Sequence, residues 1–149
     1  MAASDLVSSS RTINVFSPQS VASGGAIVST ALDTKGWRWA VITVSVGTNA
    51  AVTSAGTLPV QFSATSGGTY ATPTGATFVL PHVTDDFRIV GVIDLQQMNR
   101  WMKMTGTGAA GTGACLYGIT VTLYGCDDTT QYINSGVGEA DVLEFTILT

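Results

Sequence analysis

His82 is the only histidine in the chain, and it sits beside two carboxylates, in the run Pro81-His82-Val83-Thr84-Asp85-Asp86. An imidazole oriented by a carboxylate can act as a general base near neutral pH. No nucleophile motif accompanies it. Gly-x-Ser-x-Gly and Ser-x-x-Lys do not occur, so a loop histidine bonded to its own turn is the better reading. Asp85-Asp86 and Asp127-Asp128 would suit calcium, which takes several oxygen ligands. Adjacent residues of a strand point to opposite faces, however, and no Asp-x-Asp-x-Asp loop is present, so solvated turn residues are expected. Cys115, Cys126 and His82 lack zinc spacing. The two cysteines read as buried thiols of a reducing compartment, with a disulfide as the alternative.

The run Gly106-Thr107-Gly108-Ala109-Ala110-Gly111-Thr112-Gly113 resembles a phosphate-binding loop only superficially. Gly106, Gly108 and Gly111 have the spacing of a dinucleotide fingerprint, but the pattern after them is a strand rather than a helix. A flexible hairpin loop is expected. Taken together, these features predict no catalytic residue, no metal site and no cofactor. The remaining chemistry is stacking. Trp37, Trp39, Trp101, Tyr70 and Tyr117 could form sugar platforms on a β-sandwich, but aromatic residues are also enriched in cores and subunit interfaces, which is the preferred reading.

Composition points the same way. Of 149 residues, 45% are apolar and only 11% are charged, against about 25% charged in an ordinary soluble domain. A surface made largely of Ser, Thr, Gly and Ala is poorly defended against association. The net charge is −4, with six Lys plus Arg scattered along the chain; nucleic-acid binding, which needs clustered cations, is not expected. No apolar run is long enough for a transmembrane helix, and residues 1–11 show no secretory-leader pattern. The expected place is a cytoplasm.

The elements that carry these residues are strands. Apolar alternation punctuated by Gly, Ser, Asn and Pro recurs about every ten residues. Expected strands cover residues 11–16 (stopped by Ser17-Pro18), 37–47, 58–64, 76–80, 87–94, 99–105, 114–124 and 143–148, with a weaker stretch over 21–31. Residues 96–99 read as a turn rather than a helix. Strand 37–47 has apolar residues on both faces, so it is expected to be central and covered on both sides along its first half. The expected core contains Val41, Ile42, Val44, Phe62, Ile89, Ile119, Val121 and Leu123. The predicted fold is all-β: a single-domain, jelly-roll-like β-sandwich over residues 11–125. An immunoglobulin-like sandwich is the second choice, since the Cys-Trp-Cys order of that family is missing. A flexible arm is expected over residues 1–10, and a connector and strand over 126–149. The strand 143–148 has one apolar face and a long polar tether, and is expected to pair with another subunit or a shell as well as its own sheet.

Three segments carry a resemblance. Leu32-Asp33-Thr34-Lys35-Gly36-Trp37 leads into Val41-Ile42-Thr43-Val44-Ser45-Val46-Gly47. Val92-Ile93-Asp94-Leu95 precedes Asn99-Arg100-Trp101-Met102-Lys103-Met104. Ile119-Thr120-Val121-Thr122-Leu123-Tyr124-Gly125 closes the domain. In pattern, over about residues 11–125, this resembles small bacteriophage head-decoration (cement) proteins. The resemblance implies a virion protein, assembled in the host cytoplasm, that docks outside an icosahedral capsid, binds its major capsid protein and reinforces the shell, often as a homotrimer. Candidate contact residues are Leu6, Val7, Trp37, Trp39, Trp101, Leu143, Phe145 and Ile147. A carbohydrate-binding or tail-fibre module and a self-assembling capsid subunit are the alternatives.

Overall fold

The computed structural model describes residues 10–49, 52–82, 86–125 and 142–148. It contains twelve strands: β1 (Ser10–Val21), β2 (Ala26–Val28), β3 (Leu32–Asp33), β4 (Trp39–Asn49), β5 (Val52–Ser54), β6 (Gly56–Ser63), β7 (Thr77–Leu80), β8 (Phe87–Asp94), β9 (Trp101–Thr107), β10 (Ala110–Gly111), β11 (Cys115–Tyr124) and β12 (Val142–Leu148). One sheet runs β1-β11-β4-β8-β12. The second runs β2-β9-β6-β7, with β3 paired to β9 beside β2, and β10 pairs with β5 in a short ribbon. All pairings are antiparallel. The protein is an all-β sandwich.

Alternation drives this arrangement. Every second residue of β6 (Leu58, Val60, Phe62), β8 (Phe87, Ile89, Ile93) and β11 (Tyr117, Ile119, Val121, Leu123) is buried, and together with Ala40, Ile42, Val44, Met102 and Met104 these make one core cluster. A one-residue slip in any of these strands would put its apolar set on the outside, which is what fixes the register. Thr30 ties the two sheets together: its N–H donates to the Val15 carbonyl of β1 at 3.0 Å, between the two strands that edge β9.

Four expectations need correction. Ser17-Pro18 does not end the first strand; β1 continues to Val21 through two register shifts, at Asn14/Phe16 and Phe16/Gln19. It is an edge strand, and bulged edges tolerate a residue without an N–H. Val41 is not in the core: Ala40, Ile42, Val44 and Val46 take the inner face of β4, leaving Val41 half-buried on the outer one. For the same reason β4 is central but not covered on both sides. Finally, the glycine-rich run is not a loose hairpin loop. β9 extends to Thr107, the Gly108 N–H reaches the Gly25 carbonyl at 2.9 Å, and the Gly111 N–H reaches Ser23 Oγ at 2.7 Å. The glycines are needed for closeness: a Cβ on Gly106 would collide with the Thr57 carbonyl, and one on Gly56 with the Thr107 carbonyl.

The strand expected near the C-terminus is β12, which lies along the β8 edge of its own sheet. Of the arm expected over 1–10, residues 1–9 lie outside the described residues and Ser10 opens β1; residues 126–141, including Cys126, Asp127 and Asp128, lie outside them too, as does Asp85.

Two stability outcomes follow. Ile119→Ala removes a fully buried side chain and should cost about 2–5 kcal/mol in urea denaturation. Gly106→Ala should be more disruptive than alanine at the exposed Gly67, whose added Cβ would meet nothing within 4 Å.

Candidate interaction surface

The outer face of the first sheet has an unusual composition. The register aligns two cross-strand rows. One reads Thr12, Thr122, Val41, Val92 and Glu144; the other reads Asn14, Thr120, Thr43, Val90 and Thr146. Across the central strands β11, β4 and β8, all six of these positions are Val or Thr and half-buried. Pairs of this kind stabilise a sheet through direct side-chain contact, and the Thr12 and Thr122 hydroxyls lie 3.1 Å apart. Solvated sheet faces ordinarily carry polar and charged residues. Among the described side chains of these three strands, Arg88 and Asp94 bring charge to the face towards the strand ends; Glu144 occupies the β12 position of the first row.

At the far end of that face is a shallow apolar groove of about 170 Å³, lined by Pro18, Val46, Gly47, Leu116 and Gly118. The bulged segment of β1 makes it. Pro18 lies over Gly118, where a Cβ would come within 3.1 Å of its ring, and Leu116 lies over Gly47. Leu116 is 43% exposed, an uncommon state for a large apolar strand residue in this chain.

The opposite end is organised by one carboxylate. Asp33 Oδ1 accepts the Lys35 N–H at 3.0 Å and Arg100 Nε at 2.8 Å, while Oδ2 accepts the second Arg100 nitrogen at 2.6 Å. The turn before β4 is thereby tied to the start of β9. The Arg100 guanidinium holds the Asp33 carboxyl below the usual carboxylate range. Thr34 reinforces the tie, its N–H and hydroxyl both donating to the Arg100 carbonyl, at 2.9 and 2.7 Å. Gly36 completes the turn with φ of 83°, a left-handed conformation that favours glycine. Sequence patterning alone does not pair Asp33 with Arg100, because the contact spans 67 residues; their opposite charges were the only signal.

The aromatic candidates do not converge. Trp39 lies on the outer side of the first sheet, between Asp94 and Tyr124, with Arg38 over its ring at 5.5 Å. Trp101 lies outside the second sheet, with Arg100 over its ring at 5.3 Å. Tyr70 has Lys103 over its ring at 5.6 Å. Trp37 packs against the core. Tyr117 is no platform at all: it is buried, and its hydroxyl accepts the buried Ala109 N–H at 2.9 Å. A sugar cleft needs several such rings facing one space, and these are spread over both outer faces and the core. Of the other candidate contact residues, Leu6 and Val7 lie outside the described residues, and Leu143, Phe145 and Ile147 are placed only by their backbone positions in β12.

Among the described residues, no three His, Cys, Asp or Glu side chains gather as a metal site, and no helix is long and apolar enough to cross a membrane. His82 is half-buried, and Asp86 is exposed with φ of 50°. Cys115 is a buried thiol beside Tyr117. No protein-family model, curated protein or solved structure matches the chain.

Burial pushes the Tyr117 phenol up to about 12. Its folded-state value lies above that of the unfolded chain, so its contribution is fully present below about pH 10 and is lost as pH rises towards 12. Alkaline melts should show a fall in Tm across that window, and Tyr117→Phe should flatten it. The same substitution leaves the Ala109 N–H unpaired and should cost about 1–3 kcal/mol at neutral pH by denaturant titration.

Proposed function

We propose that this protein is a structural component of a bacteriophage virion, a decoration (cement) protein that binds the outside of the capsid through the major capsid protein and stabilises the shell. One observation carries the reading: the uncharged Val and Thr rows on the outer face of β11, β4 and β8. Such a surface suits a broad, dry contact with another protein. It offers no proton-transfer group, and a nucleic acid would find no cluster of cations there. The resemblance of residues 11–125 to head-decoration proteins supports the same role, and a homotrimer would multiply weak contacts by effective concentration.

The wiring supports reading the sandwich as a jelly roll. Apart from β12 and the short pieces, the two sheets are β1-β11-β4-β8 and β2-β9-β6-β7. The eight main strands are split four and four, with the chain passing repeatedly between the sheets, as in the double Greek key found in viral capsid and lectin domains. That order also favours a second reading, in which the protein is itself a self-assembling shell subunit. Electron microscopy of the purified protein separates the two: closed particles without a partner shell support the subunit reading.

For the decoration reading, the purified protein should co-sediment with phage capsids that lack it and raise their melting temperature. Thr43→Lys and Val90→Lys place charges on half-buried outer positions without touching the core. Each should lower capsid affinity at least tenfold while leaving the fold intact by circular dichroism. Unchanged binding by both variants would remove the outer face as the contact.

A further inference from the structure

β12 differs from the other long strands in how it is attached. The four-plus-four sandwich is complete without it, and it lies on the outer edge of β8. Its register runs Val142–Ile93, Glu144–Val92, Phe145–Gly91, Thr146–Val90, Ile147–Ile89 and Leu148–Arg88, with one shift between Val142 and Glu144. Phe145 and Ile147 thus stand opposite Gly91 and Ile89, two positions on the buried side of β8. The β8 edge needs such a cover, because an open edge flanked by apolar residues pairs with other chains.

The tether is far longer than this placement requires. Leu123 of β11, Ala40 of β4, Ile93 of β8 and Val142 of β12 lie in one row. β12 therefore starts at the end of the sheet where β11 stops, three strand spacings away, or roughly 14 Å. About 17 residues join the two strands, enough to reach roughly 55 Å when extended. Five would cover the direct path. The β8 edge offers the same backbone partners to β12 of any copy, so the pairing can be satisfied between molecules as well as within one.

We propose that β12 is exchanged: in the assembled protein it pairs with β8 of a second copy, so that each copy both donates and accepts a strand. Exchange of an identical element is a low-cost route to a symmetric oligomer. The occupant of the β8 edge is then fixed as residues 142–148 of a neighbour. This concerns copies of the chain alone and does not depend on capsid binding.

Directly opposed strand residues have Cα atoms about 4.5–5.5 Å apart, within reach of a disulfide. Val90→Cys and Thr146→Cys, opposed on the outer face, make the test. The two single variants, carrying tags of different size, are co-expressed, oxidised and run on a non-reducing gel beside each variant alone. Exchange predicts a mixed dimer carrying both tags, well above the level of like-with-like dimers formed by either variant alone. The doubly substituted chain should give dimers and higher species. Overturning results are a double variant that closes its disulfide within one chain, with no mixed dimer above background, or no cross-link in either format.

Discussion

The insertion of β11 between β1 and β4 is the pairing on which the rest of the structure depends. It joins the start of the described chain to its middle through a strand some hundred residues later, as in the Thr12–Thr122 hydroxyl contact. Without it, β1 has no sheet, β4 loses one neighbour, and Tyr117 cannot hold Ala109 over the end of the sandwich. Non-local pairing of this kind must first overcome the entropy of closing a long loop, and it is rewarded only when the whole core condenses. The four inward residues of β11 supply that reward, since Tyr117, Ile119, Val121 and Leu123 are all almost fully buried.

The same insertion creates the surface proposed to act. With β11 in place, the outward positions of three adjacent strands come into register, and their Val and Thr side chains form a continuous, uncharged patch. The ends of the patch are finished differently. A bulge in β1 and two glycines shape the groove beneath Leu116 and Pro18, while the Asp33–Arg100 pair fixes the turn that delivers Trp37 and Trp39 to β4. That ion pair is exposed, so its worth lies in geometry more than in energy. It gives Asp33, whose Oδ1 also accepts the Lys35 N–H of the turn, a second task that no local pattern encodes.

Strand identity and facing were legible wherever alternation was strict, as in β6, β8 and β11. They were misread where both faces carry apolar residues. Val41 illustrates this: valine alternating with isoleucine gives no local sign of which side meets the second sheet, and only the burial of Ala40 and Ile42 decides it. Pro18 was over-weighted as a breaker because an edge strand with bulges is a tertiary circumstance. In sequence the glycine run Gly106–Gly113 reads as slack, whereas Gly106 permits the close approach of β9 to β6 and Gly108 lies against the Tyr117 ring. The aromatic residues were legible as contact-makers but not in their placement, since the fold sends Trp39 and Trp101 to opposite outer faces and Tyr117 inward.

Function through an uncharged sheet face has a thermodynamic signature. Attraction between charged surfaces is screened by salt, whereas burial of apolar surface is not and lowers the heat capacity on binding. Isothermal titration of the protein into capsids lacking it, repeated from about 50 to 500 mM salt and at several temperatures, reads both properties. An affinity nearly constant across that salt range, with a clearly negative heat-capacity change, is expected. An affinity that falls steeply with salt and shows no heat-capacity change would place the contact on the charged ends of the sandwich and contradict the role given to the Val and Thr face.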